Sequence, residues 1–443
     1  MSNDNIFNVW MKREYRTVVR ASGVHLYDDQ GKSYIDASGG PVLVSLGHGR
    51  KDVAKVLGDQ AATVSFAYRF DFTNNPLKEA TRKLTEASDG YLQKHFFVSG
   101  GSEATEVAVK LARVYQVDKG QPSRHKIITR WMSYHGNTMG ALAWSGHPFR
   151  RKLYEPYLAA SPMIPPAYCY RCPYGRTAET CSLECAEALE TEIQLQGPDT
   201  VAAFMIEPVS GSSLYAAIPR PDYFKRVREI CDKYGVLLVF DEVMSGVGRT
   251  GKYFAYQHFG VKPDIVALGK ALAGGYFPIG SASCSQEVYD VIYNKSAAFV
   301  VGYSWVGNPL GAAVVSKTLD ILKDENLVAE CAAKGDYLQK KLKELDHPTI
   351  GEVRGMGTMI GVELVKDRKT KEPFPRALGY AFKVAEETLE LGMFLEGCAG
   401  SVNGLAGDGM LFGPPFTSTY EELDQMVDIF DKALSRVEKE QGY

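Results

Sequence analysis

The sequence predicts an α/β fold, a mostly parallel sheet flanked by helices, on three observations. Residues 201–206 and 236–240 are short apolar runs rich in branched side chains, each ending at an acidic residue, as strands buried on both faces of a parallel sheet do. Between them Tyr223, Val227 and Ile230 recur at helical spacing across 221–234, and Gly235 follows where a C-cap falls, so 201–240 reads as one strand–helix–strand unit. Upstream, 96–99, the pair Gly100-Gly101 and 102–115 read as strand, turn and helix, with Ala104, Val107, Ala108, Leu111 and Val114 on one helix face. Alternating strands and helices mark the α/β class.

In chain order, 34–36 follows a turn at 28–31 and reads as hairpin material. Residues 265–268 supply another buried strand of the large sheet. After about residue 326 the chain predicts a helix over 328–345, a strand over 357–364 and a helix over 377–391. The expected organisation is a large domain, 76–325, and a smaller α+β domain assembled from both ends, 1–75 and 326–443. No internal repeat or low-complexity tract interrupts it.

With 443 residues, 45% hydrophobic and 23% charged, the composition is globular and excludes disordered, collagenous and coiled-coil classes. Fifty Lys and Arg against 53 Asp and Glu leave a net charge of −3, so no basic excess points to nucleic acid or an anionic membrane, and a small-molecule substrate is expected. Residues 1–16 carry Asp4, Lys12, Arg13 and Glu14 and lack the apolar core of a secretory signal, so a cytoplasmic location is expected. Residues 296–316 hold no charge and match the length of a membrane span, about 20 residues, but Gly302, Gly307, Asn308, Pro309 and Gly311 break the run. They read as a buried loop running into a helix. The eight cysteines are expected to be reduced. Four of them, Cys169, Cys172, Cys181 and Cys185, cluster in a spacing unlike a standard zinc finger, which leaves zinc, a regulatory disulfide and plain packing open; no metal is assigned to the functional site.

Asp241 stands where an apolar strand ends, at the edge of the sheet where ligands of open α/β folds bind. Lys270 follows the next apolar strand, far enough along the chain for a helical crossover, so the two can share one crevice. A lysine amine, a buried carboxylate and a glycine-rich anion cradle are what pyridoxal phosphate chemistry requires. The cradle is Ser99-Gly100-Gly101-Ser102, whose following helix offers unpaired N–H groups. Its plain alternative is a Ser102 N-cap. A P-loop nucleotide enzyme is disfavoured, because G-x-x-x-x-G-K-[ST] and its phosphate-reaching lysine are absent.

The segments YIDASGG, LGHGR, FVSGGSEATEVAVKLAR, SYHGNTMGAL, MIEPVSG, LLVFDEVMSGVGRTGKYFA, PDIVALGKALAGGYFPIG, GYSWVGNPLGAA and VRGMGTMIGVEL, in this order, resemble the class III pyridoxal-phosphate aminotransferases, the omega-transaminase-like enzymes of fold type I. The resemblance spans nearly the whole chain. It implies that Lys270 condenses with the aldehyde of pyridoxal 5′-phosphate and then serves as general base and acid, and that Asp241 keeps the pyridine nitrogen protonated. By the same motifs Tyr134 stacks on the ring with His135 beside it, Val243 packs the opposite face, Gly101 and Ser102 bind the phosphate, and Glu207 lies on the hydroxyl side. Ser304, at the Thr position of the family's GxTY motif, implies a phosphate contact from a neighbouring subunit, hence a homodimer or higher homo-oligomer with shared sites. The implied activity moves an amino group from an amine or amino acid donor to a 2-oxo acid in two half-reactions through pyridoxamine phosphate. A decarboxylase, aminomutase or racemase of the same family is the alternative; a binding or scaffold protein that keeps the fold without the cofactor is a reading from a different class. The chain departs from many relatives in three places: Val42 replaces a Trp, 395–415 contains no Arg or Lys to grip a substrate carboxylate, and a Cys-bearing insertion follows Pro165.

Overall fold

The computed structural model describes residues 5–443; Asp4, part of the N-terminal charge pattern, lies outside the described residues with the three before it. Its centre is a seven-stranded sheet in the spatial order Leu92–Val98, Gly280–Ser285, Ile265–Leu268, Leu237–Asp241, Val201–Ile206, Lys126–Arg130, Met163–Ile164. Neighbours from Ile265–Leu268 to Met163–Ile164 pair in parallel, while Gly280–Ser285 runs antiparallel to both of its neighbours. Every residue of Val201–Ile206, Leu237–Asp241 and Ile265–Leu268 is buried, as continuous apolar runs covered on both faces should be.

The helix between the two central strands is Tyr223–Tyr234, and it stops at Gly235, whose φ of 64° is left-handed. A residue without Cβ takes that conformation at little cost, and its N–H bonds back to Asp232 and Cys231. The helix after the glycine pair is longer than 102–115, running Gly101–Asp118.

Two four-stranded sheets complete the architecture. One joins Val18–Ser22, His25–Asp28 and Ser33–Asp36 to Met393–Phe394, which pairs in parallel with Ser33–Asp36 and so ties the two ends of the chain together. The other orders Ile350–Met356, Met359–Leu364, Ala406–Phe412 and Glu396–Val402. Val24, Ile35 and Ala37 pack in one core with Leu338, Phe412 and Phe430. Leu46 and Val53 pack instead with the core of the large sheet.

Three expectations change. The strand expected over 357–364 begins at Met359, because Gly357 turns the chain at φ 55°. The helix expected over 377–391 divides into a short turn, Arg376–Leu378, and a helix, Tyr380–Glu390, because Gly379 at φ 59° breaks helical continuity. The uncharged loop is not buried within the chain: Val300 is 79% exposed and Trp305 56%, and burial begins only at Val306, just before the helix Pro309–Asp324. Among the described residues no element covers those side chains, although Phe66 meets Trp305 edge-on at 5.9 Å.

The insertion after Pro165 is clamped to the C-terminal sheet. Glu363, fully buried, receives Arg171 Nε at 2.6 Å and Arg354 Nη2 at 2.8 Å, with the Tyr168 hydroxyl also donating to it. All eight cysteines are free, and among the described residues no group of three or more His, Cys, Asp and Glu is arranged to hold a metal.

Arg249 is the largest fully buried side chain, and it joins segments remote in sequence. Its guanidinium donates to Pro414 O at 2.7 Å, Thr358 Oγ1 at 2.9 Å and Val44 O at 3.2 Å, and lies 4.6 Å from the Phe416 ring centre. Arg249→Leu strands buried carbonyls without donors, each worth about 1–3 kcal/mol. A loss of about 3 kcal/mol is expected, seen as a lower urea midpoint for unfolding.

Candidate functional site

Three of the parallel strands deliver their acidic or basic followers to one place. Asp241 ends its strand, Glu207 follows Val201–Ile206, and Lys270 lies just past Ile265–Leu268. Together they line a cavity of about 180 Å³ at the carboxyl edge of the sheet. Gly101, Ser102, Tyr134, His135 and Val243 line the same cavity. Ser304 does not: it is exposed on the loop described above.

Lys270 opens a short turn, Lys270–Ala273, with its own φ at 44°. A left-handed backbone at a residue with a side chain costs about 1–3 kcal/mol and persists only where surrounding structure imposes it. Burial pushes its amine pKa down to about 8, with Arg150 acting in the same direction; Glu396, Asp241 and Glu207 oppose the shift.

Asp241, 5% exposed, is held from two sides: His135 Nδ1 lies 2.8 Å from Oδ2 and the Val243 N–H donates to Oδ1 at 3.0 Å. An ionised carboxylate only accepts, which assigns the proton to His135 Nδ1. The imidazole is fixed through its own backbone, whose N–H donates to Ser145 Oγ and whose carbonyl accepts from Thr105 Oγ1, both at 2.8 Å. Its Nε2 is buried without a partner. The adjacent Glu242 turns away from the cavity, accepting the N–H groups of Ala255 at 2.6 Å and Tyr256 at 2.8 Å.

Glu207 Oε1 accepts from the Gly211 N–H at 3.1 Å, while Oε2 is buried without a hydrogen bond and 4.0 Å from Arg130 Nη2. Burial raises its pKa, opposed by His135 and Arg130. The helix Gly101–Asp118 starts without a side-chain cap, its first backbone bond running from Ala104 N–H to Gly100 O. Its leading N–H groups are the kind of donors that can receive an anion. A Cβ on Gly101 would sit 2.6 Å from Val243 Cγ1, so glycine is what lets the helix start press against that side chain. The N-cap reading of Ser102 is overturned: Gly100 occupies that position, and Ser102 Oγ accepts from the Asn137 N–H at 3.0 Å.

Sequence reasoning missed Arg150 and Glu396. Arg150 Nη2 donates to Ser212 Oγ at 2.8 Å, and its guanidinium lies 4.5 Å from the Tyr134 ring centre. Glu396 reaches the neighbourhood of Lys270 from the small sheet; its N–H donates to Ser38 Oγ at 2.7 Å, and its Oε2 is buried without a partner. Burial raises its pKa, opposed by Lys270 and Arg150. No local pattern marks Glu396, because its position depends on how two sheets pack.

The donor set fits pyridoxal phosphate. It joins an amine of lowered pKa, a fixed carboxylate, the unpartnered Glu207 Oε2 and an uncapped helix start.

Comparison with known proteins identifies a family. The family described as Aminotransferase class-III matches residues 6–434. The chain is 36% identical to "Uncharacterized aminotransferase YodT" of Bacillus subtilis over 96% of both chains. It is 35% identical to the "Leucine/methionine racemase" of Thermococcus litoralis, over 95% of this chain and 91% of that one. Among solved structures, a thermostable (S)-enantioselective omega-transaminase from Thermomicrobium roseum superposes with a TM-score of 0.90 at 36% identity, covering 96% of this chain and 93% of that one.

The lowered amine pKa is testable without any ligand. An acylating reagent that attacks only neutral amines should label Lys270 in the folded protein with a midpoint near pH 8, whereas an ordinary lysine follows its usual 10.5. Peptide mass spectrometry reads the label; a midpoint at the ordinary value would show that the amine is solvated.

Proposed function

The chain belongs to the class-III aminotransferases, a pyridoxal-phosphate-dependent family, and we propose that the cavity around Lys270 holds the cofactor and carries out amino transfer between a small amine or amino acid donor and a 2-oxo acid. One observation carries the assignment of the site: an enclosed lysine amine with its pKa lowered to about 8 shares a cavity with a carboxylate fixed by a buried imidazole.

When bound, pyridoxal phosphate supplies an aldehyde that takes up the amino group and a ring that spreads the charge left by C–H cleavage. The residues supply the rest. Gly101, Ser102 and the helix start behind them would hold the phosphate, while Tyr134 and Val243 would pack the ring. Asp241 holds a proton on the ring nitrogen, and His135 keeps its carboxylate aimed there. Glu207, whose Oε2 is buried without a hydrogen bond, would serve the hydroxyl side of the ring. Lys270 Nζ takes the proton from the amine-bearing carbon of the donor, a task for which a pKa of about 8 is suited near neutral pH. The donor leaves as its oxo compound before the 2-oxo acid enters, so the reaction is ping-pong. A decarboxylase or aminomutase, or a racemase such as the Thermococcus litoralis relative, would use the same residues, and release of an oxo product from the donor separates transfer from these.

Ser304 belongs, in this reading, to the site of a second copy in a homodimer. The exposed apolar side chains at Phe66, Phe70, Val300 and Trp305 support it, since an uncovered patch of this kind suits a subunit interface. Residues 1–75 and 326–443 form the small domain around a large one, 76–325, supported by the pairing of Met393–Phe394 with Ser33–Asp36; within the N-terminal stretch, Leu46 and Val53 pack on the core of the large sheet instead. A cytoplasmic location is part of the same proposal, supported by eight free thiols; among the described residues no helix is long and apolar enough to cross a membrane.

Lys270→Ala should abolish both the visible absorbance of the bound cofactor and turnover. Asp241→Asn should keep bound cofactor while turnover falls by about 100-fold or more; near-normal turnover would refute its assigned role. Trp305→Glu should shift sedimentation from dimer to monomer and weaken retention of the cofactor.

A further inference from the structure

A 2-oxo acid carries a carboxylate that must be held, yet 395–415 contains no cation. Among the described residues, Lys270 lines the cavity, and the charges of Arg130 and Arg150 act on groups in it. Lys270 is the reacting amine, and Arg130 is engaged by Glu207, donating to its backbone oxygen at 2.9 Å. Arg150 is the third; among the described residues it has no ion-pair partner, and the carboxylate its charge acts on is Glu396.

The contrast with its neighbour is instructive. Arg151 pairs with Glu155 at 3.0 Å and donates to the carbonyls of Leu142, Ala143 and Ser145, closing the end of the helix Met139–Trp144. Arg150 has no ion-pair partner among the described residues; its contacts are the Ser212 hydroxyl and the face of Tyr134, two side chains that line the cavity. A guanidinium has five N–H donors, and one bond to a hydroxyl leaves a planar fork suited to a carboxylate. Ser212 and the Tyr134 ring hold that fork in position, and its charge acts on both Lys270 and Glu396.

We propose that Arg150 binds the carboxylate of the 2-oxo acid acceptor and of amino acid donors, with Ser212 and Tyr134 setting its orientation. This rests on the amino-transfer reading above. It makes the site selective for a carboxylate at a point that the sequence motifs do not mark, while a donor without a carboxylate makes no use of Arg150.

Two measurements on the holoenzyme test it, using Arg150→Gln and Arg150→Lys. Calorimetry of propionate, an unreactive monocarboxylate, should show binding to the wild type weakened about 10- to 100-fold by Arg150→Gln, the range expected for a hydrogen bond to a charged group, and by less with Arg150→Lys, which keeps charge but not the fork. Rates of the first half-reaction with alanine and with benzylamine, followed by cofactor absorbance, should show the alanine-to-benzylamine ratio falling by a similar factor. Equal losses for both amines, or propionate binding that is absent in the wild type or unchanged in Arg150→Gln, would overturn the proposal and leave Arg150 a structural residue. If Arg150→Gln does not fold, Arg150→Lys decides through the same ratio. A wild type that binds propionate but transfers no amino group would refute the amino-transfer reading, while the propionate comparison still judges Arg150.

Discussion

A primary amine withdrawn from water, among carboxylates that oppose its loss of charge, is the constraint on which the cavity depends. Desolvation favours neutral Lys270, whereas Glu396, Asp241 and Glu207 favour the ammonium, and the balance leaves its pKa at about 8. Complete burial without those acids would lower it further; full exposure would leave a charged, unreactive amine. The left-handed backbone at Lys270 belongs to the same arrangement, since the surrounding sheet edge must hold it there.

The acidic pair that ends the central strand illustrates how tertiary context divides labour between adjacent residues. Asp241 is directed into the cavity and held by His135 and the Val243 N–H. Glu242 points the other way, where burial raises its pKa to about 8 against two backbone N–H donors, and it anchors the turn at Ala255 and Tyr256. Alternation along a strand sends neighbouring side chains to opposite faces. That geometry directs one carboxylate into the cavity and the other into the surrounding architecture.

The ends of the chain do more than enclose the large sheet. Arg249 bonds to segments around Val44, Thr358 and Pro414, so packing of both ends is coupled to the turn after the central strand. Glu396 comes from the small sheet and is tied to Ser38 of the N-terminal segment, yet its charge acts on Lys270. The electrostatics of the amine are therefore set partly by how the sheets dock. The insertion after Pro165 joins the same framework through buried Glu363.

Much of this was legible in the residues in order. Branched apolar runs identify strands covered on both faces, helical spacing identifies Tyr223–Tyr234, and Gly235 marks its end, because each depends on local periodicity and backbone freedom. That Asp241 and Lys270 meet at one edge of the sheet was legible as well, since strand ends in a parallel sheet project to one edge. What lay beyond the sequence was the direct contact between side chains of remote segments. Gly101 against Val243, His135 against Asp241, Glu396 beside Lys270 and Arg150 over Tyr134 are contacts across separate elements. Local sequence determines which elements form and which way their side chains alternate; only packing decides which of those side chains meet, and how far water is excluded from them.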